Sequence, residues 1–178
     1  MDMKDLQEKS SPAPLKGALA GAVAGVFASW TMNQIYGIWT RLTGNYQQPE
    51  QSAQRGVSTD PATIAMVNQL SRRFLGRELT GEQAKIADLI GHYVIGIVGG
   101  AFYGASSEYL PQLRVGGGAG FGTAFFLLGE EVAVPLLGLS AKPSQIPAES
   151  HAVGFLAHLV YGVSTELARR ECRSVLAG

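Results

Sequence analysis

Four stretches of the chain are apolar almost without interruption, and polar connections of very unequal length divide them. The first, 15–39, would be roughly 37 Å long as a helix, enough to cross a ~30 Å hydrocarbon core with some tilt. Two more, 86–110 and 115–139, are joined only by Pro111-Gln112-Leu113-Arg114, which forces an antiparallel hairpin, and a fourth covers about 152–168. This pattern predicts an all-α polytopic membrane protein of four transmembrane helices. A mobile polar tail at 1–14, a long connection at 40–85 and a basic end at 169–178 frame the membrane domain.

Within two of these stretches a finer period appears. His92, Gly96, Gly100, Gly104 and Glu108 recur every fourth residue, and Gly154, His158, Gly162 and Glu166 repeat the stripe. Tyr103-Gly104-Ala105-Ser106-Ser107-Glu108 returns as Tyr161-Gly162-Val163-Ser164-Thr165-Glu166, so the four spans read as a duplicated helical hairpin with 96 matching 154 and 108 matching 166. Glycine at such spacing serves close helix approach in a membrane, and Gly96, Gly100, Gly104, Gly154 and Gly162 are the expected packing positions. Gly17, Gly21 and Gly25 offer a third small-residue face, while Tyr36 and Trp39 suit an interfacial belt.

The long connection is irregular from Gly44 to Pro49. Asp60-Pro61 then marks a helix start, followed by Ile64, Met66, Val67, Leu70, Phe74 and Leu75, mostly on one face. This amphipathic helix is expected to lie on the membrane surface or on the bundle itself. Thr80 with Gln83 three residues on forms a capping-box pattern for the next helix.

Composition adds to this picture by exclusion. Charged residues make up 16% of the chain against roughly 25% in soluble domains, and the net charge is zero with no basic block, which argues against nucleic acid. Cys172 stands alone, so no intrachain disulfide and no cysteine-based zinc or haem-attachment spacing exists. No signal-peptide cleavage pattern precedes the first span. Lys and Arg divide evenly between the two sides; their density near both termini places those termini in the cytoplasm.

Ionisable groups inside the apolar stretches carry the candidate chemistry, because each costs at least ~2.5–3.5 kcal/mol at mid-membrane and needs a partner. His92 and His158 fall at about the same depth, and Glu130 and Glu131 lie within a turn of it. Imidazole titrates near pH ~6.5, so these four groups form a proton-responsive candidate, with helix-to-helix hydrogen bonding as the structural alternative. Glu166 has Arg169 and Arg170 in helical reach and Glu108 has Arg114 beyond the turn, which predicts interfacial ion pairs. No nucleophile with a base in reach and no phosphate loop is present, so no enzyme is expected, and no cofactor is assigned. Two histidines on parallel helices leave open a haem or a His/Glu metal site. A structural or assembly role is the third class, with a second copy or another membrane protein as partner beside the bilayer.

Several of these residues carry a resemblance. His158-Leu159-Val160, Ser164, Glu166, Arg169-Arg170 and Arg173, together with His92, Ile97-Val98, Tyr103, Glu108, Pro111 and Pro135-Leu136-Leu137-Gly138-Leu139, resemble the YagU-like bacterial inner-membrane proteins. That resemblance covers 86–173 and implies an inner-membrane protein of unknown biochemical function associated with acid resistance. In the first helix, Asn33 and Gln34 stand where the family pattern has a lysine and a glutamate, so no ion pair carries over there.

Overall fold

The computed structural model describes residues 13–43, 62–140 and 142–176. Helix α1 spans Pro14–Thr43, α2 Ala62–Leu75 and α3 Gly81–Tyr109. A 3-10 and turn segment, Pro111–Gly118, leads into α4, which runs as α-helix over Ala119–Phe125, as π-helix over Phe126–Ala133 and as a last α turn over Val134–Leu136. A short 3-10 turn, Pro143–Gln145, precedes α5, Ala148–Val175. No strand occurs among the described residues, so the chain is all-α there.

Three segments, Pro14–Thr43, Gly81–Tyr109 and Pro111–Leu136, are long and apolar enough to cross a membrane. The surface follows the same logic. Val23, Phe27, Trp30, Val98, Phe102 and Leu128 point outward, while Ala20, Ala24, Ala28 and Ala157 are buried where helices meet, beside the buried rings of Tyr103 and Tyr161. Large apolar residues outside and small ones inside suit a lipid solvent, where tight backbone approach replaces hydrophobic burial as the packing force.

The glycine stripes supply that approach. A Cβ added to Gly21 would collide with the Gly100 carbonyl, and Gly25 and Gly17 stand in the same relation to Gly96 and Gly104. In the second half, Gly122 lies against the His158 carbonyl and Gly118 against that of Gly162. Since 100 matches 158 and 104 matches 162, the contacts of α1 with α3 recur between α4 and α5 in the same register. Phe126 replaces the expected third glycine and closes over Gly154.

Several boundaries differ from the sequence expectation. The third apolar stretch does not begin helical at 115: Val115 is extended and Gly116, Gly117 and Gly118 take φ of +72°, +62° and +92°, so the helix proper starts at Ala119. Pro135 has no N–H for the carbonyl one turn back and its ring crowds it, and the stretch before it is widened into π-helix. The basic end is not a separate tail, because α5 continues to Val175 with Arg169 buried. The Thr80 box is not formed: helix α3 does start at Gly81, but Thr80 makes no side-chain cap and the Gln83 Oε1 accepts from Arg77 instead. The tail through Pro12, the irregular 44–49 segment and the Asp60-Pro61 cap lie outside the described residues.

Helix α2 answers both readings of its amphipathic face. Thr63 and Val67 pack over Gly91 of α3, whereas Leu70, Phe74 and Leu75 remain exposed. The turn after it folds back through Ser71 Oγ donating to the Arg77 carbonyl (2.7 Å) and Leu79 N donating to Asn68 Oδ1 (3.0 Å).

Candidate functional site

The half of the bundle away from the termini encloses a cavity of about 120 Å³. Its wall includes His92 of α3, His158 of α5 and Glu130 of α4, three of the four groups expected to converge, with Ser29 of α1 and Tyr161 between them. Each helix delivers its residue for a local reason. Helix α1 packs against both α3 and α5, and the Tyr161 hydroxyl reaches the Gly96 carbonyl, which brings the two imidazoles within electrostatic range. The π-helical stretch carries Glu130 and Glu131 side by side and sends them to different partners. Glu130 stands at the mouth, exposed, in electrostatic range of Tyr36.

The polar atoms of this cavity are only partly satisfied. His158 is 5% exposed and its Nδ1 bonds the Gly154 carbonyl at 2.9 Å, which fixes that nitrogen as the N–H and leaves Nε2 with the lone pair. Tyr161 donates to the Gly96 carbonyl at 2.6 Å. His92 Nε2 and the Ser29 Oγ are buried without a protein partner. An unpaired buried polar group costs ~1–3 kcal/mol; of the four such atoms among the described residues two line this cavity, while Ser107 Oγ and Arg114 Nε lie toward the termini.

Glu131 does not join the cavity. It pairs with His151 Nδ1 at 2.5 Å, and His151 Nε2 faces the Pro143 carbonyl at 3.0 Å. His151, which precedes the fourth apolar stretch, is held above the ordinary histidine value by the Pro143 carbonyl and by the Glu131 carboxylate. This pins the 137–147 connection to the bundle.

The opposite half is built around charge. Glu166 is fully buried and accepts from Arg169 Nε (2.7 Å), Arg169 Nη2 (3.0 Å), Arg170 Nε (2.7 Å) and the Tyr103 hydroxyl (2.9 Å). Glu108 takes Arg173 in a bidentate pair at 2.9 and 3.1 Å and the backbone N–H of Ala13 at 3.3 Å. Arg114 bonds the Ser107 carbonyl, so the expected Glu108–Arg114 pair is replaced by one spanning α3 and α5. The expected Glu166–Arg169 and Glu166–Arg170 pairs are formed, with Glu166 and Arg169 buried within the bundle. Stacked rings of Tyr103, Phe121 and Phe125, with centroids 4.5 and 5.6 Å apart, lie between this network and the cavity.

Sequence reasoning passed over three groups here. Asp88 sits one helical turn before His92, interacts with it and hydrogen-bonds Thr63 of α2, a relation the spacing of four could have exposed. Ser29 carried no signal beyond its place in an apolar run, and the interfacial-belt reading of Tyr36 did not point to Glu130. Among the described residues no three of His, Cys, Asp and Glu lie together closely enough to hold a metal ion, which removes a His/Glu metal set of that kind. At about 120 Å³ the cavity is also well below the ~300–1,000 Å³ of sites that take drug-sized ligands.

Comparison with known proteins gives one match: a family described as "Protein of unknown function (DUF1440)" fits residues 57–167. No curated protein and no solved structure matches the chain.

Proposed function

The chain belongs to that family of unknown function, and we propose that it is a non-enzymatic four-span membrane protein that senses protons through His92, His158 and Glu130. Helix α5, 28 residues long and packed antiparallel to α1 and α4, is the fourth span, crossing with residues 152–168. The observation that carries the reading is the shared cavity: three ionisable side chains from three helices line it, and among the described residues none of the three is in a salt bridge, Asp88 being the acid beside His92. Protonation of the two imidazoles adds positive charge to a space lined by α1 to α5, protonation of Glu130 removes the negative charge at its mouth, and separation of the packed glycine faces relieves the repulsion. The ring layer interrupts a polar path toward the termini, which favours a responsive element over a conducting one.

The resemblance to the YagU-like proteins supports placing this response in the bacterial inner membrane, in envelope acid tolerance, with both termini cytoplasmic. That orientation puts the cavity in the outer half of the membrane, where external acid arrives first. The test is survival at low external pH of a deletion strain complemented with wild type, His92→Ala, His158→Ala or Glu130→Gln, with membrane levels measured for each. The proposal expects normal levels with lost protection. Full protection by all three variants would sink it.

A further inference from the structure

The chain has four methionines, two of them, Met1 and Met3, at its start. The other two, Met32 of α1 and Met66 of α2, both line the cavity that His92 and His158 share. Apart from Cys172 near the end of α5 and His151 in its first turn, every thioether, thiol or imidazole donor beyond Met3 thus lines one cavity of about 120 Å³. From this juxtaposition of two imidazoles and two thioethers we propose that the cavity binds a single Cu(I) ion.

The donor chemistry selects the metal. Thioethers are soft ligands that favour Cu(I), and imidazole accompanies them readily, whereas Zn(II), Mg(II) and Ca(II) sites draw on thiolate, imidazole or oxygen donors. No three residues of His, Cys, Asp and Glu are grouped for such an ion among the described residues, whereas two thioethers and two imidazoles line this cavity. The imidazoles are prepared for it. A ligating histidine ordinarily donates its second ring nitrogen to a carbonyl or carboxylate, and His158 Nδ1 does so to Gly154. His92 Nε2 is buried without a partner, with Asp88 beside that ring. One carboxylate at the mouth, Glu130, offsets one positive charge. This goes beyond proton sensing, because Met32 and Met66 do not titrate and serve no purpose in it.

The experiment uses the full chain in lipid nanodiscs, loaded with Cu(I) under ascorbate, competed with a chromophoric Cu(I) chelator, and followed by X-ray absorption at the copper edge. Expected is one Cu(I) per chain with both sulfur and nitrogen neighbours. Met32→Leu/Met66→Leu, close to volume-conserving and therefore folded, should lower affinity by at least ~100-fold, more than the ~10–100-fold that losing an outer partner costs. The same variant should keep wild-type acid survival, which separates this site from the proton reading. Failure of the wild type to retain stoichiometric copper, unchanged affinity in the double variant, loss only in Cys172→Ser, or equally tight Zn(II) binding would each overturn the proposal.

Discussion

The two halves of the bundle treat buried charge in opposite ways. Toward the termini, the Glu166 and Glu108 carboxylates are saturated by Arg169, Arg170, Arg173, Tyr103 and the Ala13 N–H, although Ser107 Oγ and Arg114 Nε beside them are buried without a protein partner. Toward the other end, His92 and Ser29 keep atoms with no protein partner, and Glu130 has no cation bonded to it. Both halves lie on the same glycine-packed helices, so packing does not distinguish them. What differs is whether the charge is neutralised within the fold. A saturated network holds helices in register; an unsaturated one is free to take up a proton or a ligand.

The largest effect should come from the closed half. Glu166→Gln leaves Arg169 buried without its countercharge, and breaking one side of a buried pair costs about 3–5 kcal/mol. Thermal unfolding in detergent should show it, and an unchanged midpoint would erase the contrast between the halves. Next is the shared scaffold: Gly21→Leu drives a side chain into the Gly100 backbone and should cost at least ~1–3 kcal/mol, read as lost α1–α3 proximity by cysteine crosslinking. If crosslinking persists, the glycine register is not what holds the hairpin.

Ser29→Ala removes an unpartnered hydroxyl and should change stability by less than about 1 kcal/mol in either direction. A larger loss would mean that the open half is saturated after all. The smallest effect concerns the His151–Glu131 anchor, which lies outside the contrast and sharpens it. Its histidine value is raised in the folded protein, so its stabilisation is complete at acid pH and fades as pH rises through that raised value. Limited proteolysis of the 137–147 connection should therefore quicken on the alkaline side, and His151→Gln should flatten that dependence.

Much of this architecture could be read from the chain. The apolar runs and the period of four located the helices and their glycine contacts, because a membrane helix must announce itself in composition and a close contact demands small residues. Convergence of His92, His158 and Glu130 followed from depth alone. The rest depended on information that one sequence does not carry. Glu108 and Arg173 are 65 residues apart, and nothing local selects that partner over Arg114. The left-handed turn at Gly116–Gly118 looks, as letters, like more glycine-rich helix, and only Pro135 hinted at the π-helical stretch that parts Glu130 from Glu131.

The central claim is that the open half takes up protons. It is tested most directly by following the ring signals of isotope-labelled histidine in the reconstituted protein by NMR while pH is varied. The account predicts that lowering the pH from about 8 to about 5 changes both ring signals and that His158→Ala alters the His92 response, since the two rings share one cavity. Rings that stay in one protonation state across that range, or a His92 curve indifferent to His158, would contradict it.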